Sequence, residues 1–309
     1  MAQGFPRFAV STVFCTHDGG ELELKQPWLL DDQVDLIENG LLVCRKCQRS
    51  YAITEGILDV CDESVLDAES MHELRLRDKQ YGAAIEVDGP AWWDGYEMEK
   101  AEIDPTIDSL GADGSKSLLE LGCGDGRYTT ALADRFKWIL AVDFSLAALQ
   151  RLQKRVAGRS NIVLVRADIS TLKIRPGSFD RALSTLVSNL PTPEHRKSMF
   201  TLAGKAVGKN GRFVFSTHNH GFWPRALGKK KSERYEAGGM FRHNMTARDC
   251  KSEAGRFFHD VKAWTIQIQL PFSRRLKIPL YRTSRALEHL PVLGTFGMIA
   301  LCTAEEPTQ

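Results

Sequence analysis

Along the chain the hydrophobic positions change rhythm twice. Residues 8–61 carry short apolar runs at 8–14, 40–43 and 57–60, broken by glycine and cysteine, and these predict small β-strands. Between 62 and 78 the spacing of Leu66, Met71 and Leu74 predicts a helix, and the aromatic stretch YGAAIEVDGPAWWDGYEMEKAEI follows; the two read as a helical linker over 63–115. From 117 onward, strand-length runs at 117–121, 138–142, 162–165, 182–185 and 212–216 alternate with helical stretches, the rhythm of a parallel sheet. Ser145 precedes LAALQRLQKR as a cap, Thr192 and Pro193 open PEHRKSMFTLAGKAV, and Thr246 with Asp249 has capping-box spacing. Runs at 261–270 and 298–303 complete seven strands. The expected fold class is α/β: a doubly wound, mostly parallel seven-stranded sheet over 116–309, preceded by a small β module over 1–62.

The length of 309 residues suits one domain of roughly 150 to 200 residues plus a smaller module. Hydrophobic residues at 43% and charged residues at 26% exclude a disordered chain. No apolar stretch of about 18 residues is present, and the start MAQGFPRFAVSTVFC lacks the basic-then-apolar form of a secretory leader, so a cytoplasmic protein is expected. The net charge of +2 conceals an asymmetry: residues 195–290 hold 20 Lys+Arg against 6 Asp+Glu. Seven cysteines, an odd number, argue against a disulfide framework.

The strongest chemical signal is LLELGCGDG at 118–126, an apolar strand that ends in Gly122, Gly124 and Gly126 just before a helix. Glycines there let the backbone approach a ligand and adopt conformations other residues resist. A dinucleotide fingerprint wants G-x-G-x-x-G, and Arg127 stands where its third glycine belongs, which argues against NAD. Asp143 follows the second strand about 20 residues on, placed to accept from ribose hydroxyls, and Asp168 follows the third.

Over residues 117–217 this pattern resembles the class I S-adenosylmethionine (SAM)-dependent methyltransferase family, whose first motif is an acid followed by G-x-G-x-G. The resemblance implies that Glu120, Gly122, Cys123, Gly124, Asp125 and Gly126 surround the methionine end of SAM. It places Asp143 at the ribose, Asp168 and Ile169 at the adenine, and Thr185 and Leu186 beside the sulfonium, with Phe144 a further cofactor-binding residue. Tyr81, Trp92, Trp93 and Tyr96 precede the glycine strand, where relatives carry a lid over the cofactor. Tyr81 is the candidate contact among them, although an aromatic cluster is also ordinary core.

Cys15, then Cys44-Arg45-Lys46-Cys47 followed by SYAITEGILDV, resembles the zinc-ribbon family that activates certain tRNA and protein methyltransferases. The first knuckle departs from that family's C-x-x-C: here Cys15 is followed by Thr16, His17 and Asp18. Zinc accepts nitrogen and carboxylate oxygen as well as thiolate, so Cys15, Cys44, Cys47 and either His17 or Asp18 make a chemically sound structural site. A degenerate, metal-free ribbon is the alternative. Cys61, Cys123, Cys250 and Cys302 read as ordinary thiols.

Methyl transfer asks chiefly for alignment and exclusion of water. His218 and His220, just after the fifth strand, are the candidate general bases, with a structural role as the alternative for each; His195, His243 and His259 rank behind them. Asn219 is expected to shape a turn. The segments 217–245 and 271–297 are expected acceptor-site insertions in which Arg225, Lys229, Lys230, Lys231 and Arg234 mix with Phe222, Trp223, Tyr235 and Phe241. The expected acceptor is a small organic or lipid-like molecule. RNA is the runner-up, peripheral membrane contact remains open, and a catalytically silent activator of a partner ranks third. Oligomeric state is open.

Overall fold

The computed structural model describes residues 4–25, 27–31, 35–83, 96–187, 190, 192–234, 239–270 and 276–308. A 13-stranded sheet runs through them. Strands β1 (Leu36–Cys44), β2 (Ser50–Thr54) and β3 (Ile57–Asp59) form an antiparallel meander, with short strands at Phe5–Pro6, Leu22–Leu24 and Trp28–Asp31 added to β1. The others are β4 (Ser117–Leu121), β5 (Trp138–Asp143), β6 (Ile162–Arg166), β7 (Arg181–Thr185), β8 (Arg212–His218), β9 (Phe258–Ile266) and β10 (Ile299–Pro307). Their order is β1-β2-β3-β6-β5-β4-β7-β8-β10-β9. Pairing is parallel from β3 to β8 and antiparallel at both ends.

The sheet is mixed and, among the described residues, larger than the seven strands expected, and the N-terminal strands are part of it: Ile57, Leu58 and Asp59 of β3 lie in register with Leu164, Val165 and Arg166 of β6. The reason is the edge problem. Strand β6 is buried along its whole length, so the row of N–H and C=O groups it presents outward needs a partner, and β3 supplies it. The apolar run at 8–14 is also not one strand. It forms a 3₁₀ helix, Arg7–Thr12, in which Ala9 and Thr12 are buried three residues apart, the repeat of that helix. A two-residue strand, Val13–Phe14, then pairs with Lys173–Ile174.

Helices α1 (Ala68–Gly82), α2 (Tyr96–Leu110), α3 (Arg127–Leu132), α4 (Leu146–Arg155), α5 (Pro193–Val207), α6 (Ala247–Ala254) and α7 (Leu280–Leu287) cover the sheet. Side chains alternate across a strand, so neighbouring residues enter different cores. Leu118, Ile139, Ile162 and Leu164 face Leu110, Leu132, Leu149 and Leu152 of α2, α3 and α4. Leu119, Leu140, Val163 and Val165 belong to the other core, with Met199, Phe200 and Ala203 of α5 and with Phe5, Ile37 and Leu42 of the N-terminal module. Helix starts follow the caps expected: Ser145 accepts from Ala148 N–H, Thr192 from His195 N–H, and Thr246 with Asp249 forms a reciprocal capping box. Trp92 and Trp93 lie outside the described residues, as do Tyr235 and the side chains of Tyr96 and Trp223.

Candidate active site

Ligands in such sheets bind at the carboxyl ends of the strands. There the structure has a cavity of about 360 Å³, within the usual range for small-ligand sites. Its floor is the glycine loop. Gly122, Gly124 and Gly126 all have left-handed φ, at 73°, 55° and 92°. A Cβ at Gly122 would press on Val187 Cγ2 and one at Gly126 on Leu152 Cδ1, so a side chain at either would displace its neighbour in addition to resisting the left-handed φ. The peptide N–H groups of Gly122 and Cys123 both donate to the Val142 carbonyl, at 2.8 and 3.0 Å, which curls the loop over the end of β5.

Asp143 closes this side. Its Oδ2 accepts from Gly124 N–H at 2.8 Å and its Oδ1 from Ser145 N–H at 2.9 Å. Burial pushes its carboxyl above the ordinary range, against the lowering effect of these donors. Asp168 follows β6 and accepts from Ser170 N–H. Tyr81, near the end of α1, hangs over the loop so closely that a Cβ at Gly124 would meet its hydroxyl at 2.9 Å, and burial pushes that phenol up to about 12.

Of the residues singled out from sequence, Tyr81, Gly122, Cys123, Gly124, Asp125, Asp143, Phe144, Asp168, Ile169, Thr185, Leu186 and His218 line the cavity. Glu120, Gly126 and His220 do not. Glu120 is buried beneath, accepting from Thr129 Oγ1 at 2.7 Å, and desolvation pushes its carboxyl up to about 8. Gly126 is the left-handed residue that caps α3. The His220 backbone N–H donates to the Met245 carbonyl, and its Nδ1 is buried without a hydrogen-bond partner. Asn219 shapes its turn as expected, donating to the carbonyls of Thr295 and Gly297.

Apart from His195, one of the lower-ranked candidate bases, the far wall is not legible in the sequence. It consists of Ser70, Glu73, Arg77 and Gln80 from α1, with Leu190, His195, Met240 and Arg242. The apolar positions of α1 predict the helix, but the face it turns to the cavity is the polar one: 70, 73, 77, 80 and 81 follow the helical i, i+3, i+4 spacing, which is the available signal. The hairpin of Ser232–Arg234 and Phe241–His243 is bound onto this helix by an Arg234–Glu69 ion pair and by Phe241 N–H donating to Glu73 Oε1 at 2.6 Å. Glu73 Oε2 is buried without a hydrogen-bond partner. Behind the loop, Arg127 forms a two-point ion pair with the fully buried Glu102, which also receives Tyr128 Oη and Gln267 Nε2.

Burial depresses two histidines near the cavity: His218, with Arg242 adding to the effect, and His243, beside Arg196, both fall to about 4. Each is therefore neutral in the folded protein at pH 7 and in the unfolded chain titrates near 6.5. Between pH 6.5 and 4 the unfolded state binds more protons, so stability is full above 6.5 and declines as pH falls through that window. Thermal midpoints measured from pH 7.5 to 4.5 should show this slope, and His218→Asn should flatten part of it. An unchanged slope in that variant would remove His218 from the account.

In the N-terminal module, Cys15, Asp18, Cys44 and Cys47 converge with one ligand atom each, all within 4.8 Å of one another. His17 is not part of this cluster; its carbonyl accepts from Lys173 Nζ. Cys15 Sγ and Cys47 Sγ are 3.6 Å apart, close to the ~3.8 Å edge of a tetrahedron with Zn–S of about 2.3 Å. The N–H groups of Lys46 and Cys47 point at Cys44 Sγ from 3.3 and 3.4 Å. A Cβ at Gly20 would lie 2.6 Å from the same sulfur, so this cradle needs a glycine. Three thiols and one carboxylate in this arrangement fit a zinc ion.

Residues 118–211 match the family described as "Methyltransferase domain". An uncharacterized methyltransferase of Mycobacterium tuberculosis is 30% identical over 125 residues, which cover 39% of this chain and 62% of that protein. Ribosomal RNA small subunit methyltransferase A of Acidobacterium capsulatum is 29% identical over 107 residues, 33% of this chain and 36% of that protein. Among solved structures, phosphoethanolamine N-methyltransferase 1 of Haemonchus contortus, in complex with phosphoethanolamine and S-adenosylhomocysteine, shares the fold with a TM-score of 0.53 at 14% identity, covering 80% of this chain and 51% of that one.

Proposed function

We propose, from the methyltransferase domain over residues 118–211, that the chain transfers a methyl group from SAM to a small organic or lipid-like acceptor. The observation that carries this reading is the cavity itself: a left-handed glycine loop, two strand-end aspartates and an overhanging tyrosine surround one space. When bound, SAM supplies an electrophilic methyl carbon on a sulfonium. Gly122 and Gly124 would let the backbone approach the ligand, Asp143 would accept from the ribose hydroxyls, Asp168 with Ile169 would meet the adenine, and Thr185 with Leu186 would stand beside the reacting centre. Helix α1 and the hairpin bound to it exclude water, which a displacement at a sulfonium requires.

The acceptor enters against Glu73, Arg77, His195, His218, Met240 and Arg242. His218 is neutral above pH of about 4 and so is able to take a proton from the incoming nucleophile. Cys15, Asp18, Cys44 and Cys47 would hold a zinc in a structural role, four protein ligands being the pattern of such sites. Calorimetry with SAM and with S-adenosylhomocysteine tests the central reading: micromolar binding of both is expected. No affinity for either, or binding of NAD instead, overturns it.

The acceptor is tested separately by incubation with labelled SAM and fractionated cell extract, with label expected in the small organic pool. RNA ranks second, on the excess of positive charge after residue 195. If RNA were bound through six or more phosphates, affinity would drop by about 10³ or more between roughly 50 and 200 mM salt, and label would follow RNA.

A further inference from the structure

Among the described residues, seven of the ten exposed large hydrophobics fall between 222 and 298. Most belong to two segments that touch. The Phe222 ring lies 5.7 Å from that of Phe296, and Asn219 Nδ2 binds the carbonyls of Thr295 and Gly297, so 222–231 and 290–298 share one surface. On it Leu227 is 71% and Val292 69% exposed, with Leu293 and Met298 also open to solvent. Large exposed apolar surface on a soluble protein usually marks an interaction site.

Charge identifies the occupant. Arg225, Lys229 and Lys230 are exposed on the first segment, and neither segment contains an Asp or Glu. Lys229 N–H donates to the Pro224 carbonyl, which turns the chain back on itself after the short helix Phe222–Ala226. A second copy would bring like charges together. Single-stranded nucleic acid stacks on aromatic faces, whereas the exposed groups here are mainly Leu, Val and Met. Aliphatic side chains within a rim of cations are what an anionic bilayer surface accepts: the apolar groups enter the acyl boundary while the cations meet the headgroups. We propose that this surface docks on a membrane of anionic lipid. It begins four residues after His218, at the same sheet edge as the cavity, so the docked protein would hold its acceptor side toward the bilayer.

Cosedimentation of the full chain with vesicles tests this independently of the cofactor. Binding is expected to vesicles of phosphatidylcholine mixed with phosphatidylglycerol, to weaken with salt, and to be far lower on phosphatidylcholine alone. Lys229→Gln with Lys230→Gln should lower partitioning roughly 25-fold at low salt. Val292→Glu with Leu293→Glu should lower it about tenfold or more. Both pairs should bind S-adenosylhomocysteine as the parent does, which separates docking from folding and from the methyltransferase reading. No binding to the anionic vesicles, or binding unchanged in both variants, overturns the proposal. So does a dimer or an RNA complex abolished by the same substitutions.

Discussion

Asp143→Ala is expected to weaken binding of SAM and S-adenosylhomocysteine by about tenfold to a hundredfold. One hydrogen bond to a charged group is typically worth about 1.5 to 3 kcal/mol, and about 1.4 kcal/mol is tenfold in affinity. The carboxylate is buried, and its two oxygens already organise the loop through Gly124 N–H and Ser145 N–H, so alanine would remove the proposed ribose contact and two loop contacts together. Asp143→Asn separates these roles. It keeps the shape and one acceptor, so one of the two loop contacts should persist while the charge is lost. Because burial raises this carboxyl, affinity should also fall on acidification sooner than an exposed aspartate would allow. Calorimetry of the three proteins across pH decides it. Equal affinity in wild type and Asp143→Ala would place the cofactor elsewhere.

Cys44→Ser or Cys47→Ser is expected to release about one equivalent of zinc and to destabilise the whole protein, not the first 60 residues alone. Structural zinc sites carry apparent binding energies of about 10 to 16 kcal/mol in small modules. Losing even about 3 kcal/mol of that shifts Tm by roughly 6 to 12 °C in a domain of this size class. The effect should spread because the module is stitched into the sheet: β3 registers with β6, Val60 N–H donates to the Arg166 carbonyl, and Arg166 pairs with Asp59 at 2.9 Å. One cooperative transition, moved down by chelator in the parent and already low in the variants, is the expected calorimetric trace. Elemental analysis of protein purified without added metal gives the other arm. Less than about a tenth of an equivalent would mean that the four ligand groups form a metal-free turn.

Much of the glycine-loop side of the cavity was legible in the residues because it is local. A strand that ends in G-x-G-x-G dictates a left-handed loop by sterics alone, and an acid at the end of the next strand reaches that loop in any parallel arrangement; Gly122, Gly124 and Asp143 meet as expected. Where the partners were distant, sequence was silent. The i, i+3, i+4 row from Ser70 to Tyr81 is written in the chain, but whether it faced water or a ligand depended on where α1 packed. The choice between His17 and Asp18 was likewise open, since both follow Cys15 within reach of a metal, and the hydrogen bond from Gly20 N–H to Asp18 Oδ1 at 2.9 Å turns only the latter toward the thiols. The edge of β6 explains the largest departure. Alternation of apolar residues specifies that a segment is a strand and which side chains face which core, but hydrogen bonding between strands is carried by backbone groups identical in every residue. Which strand lies beside which is therefore decided only when the packed layers bring two edges together.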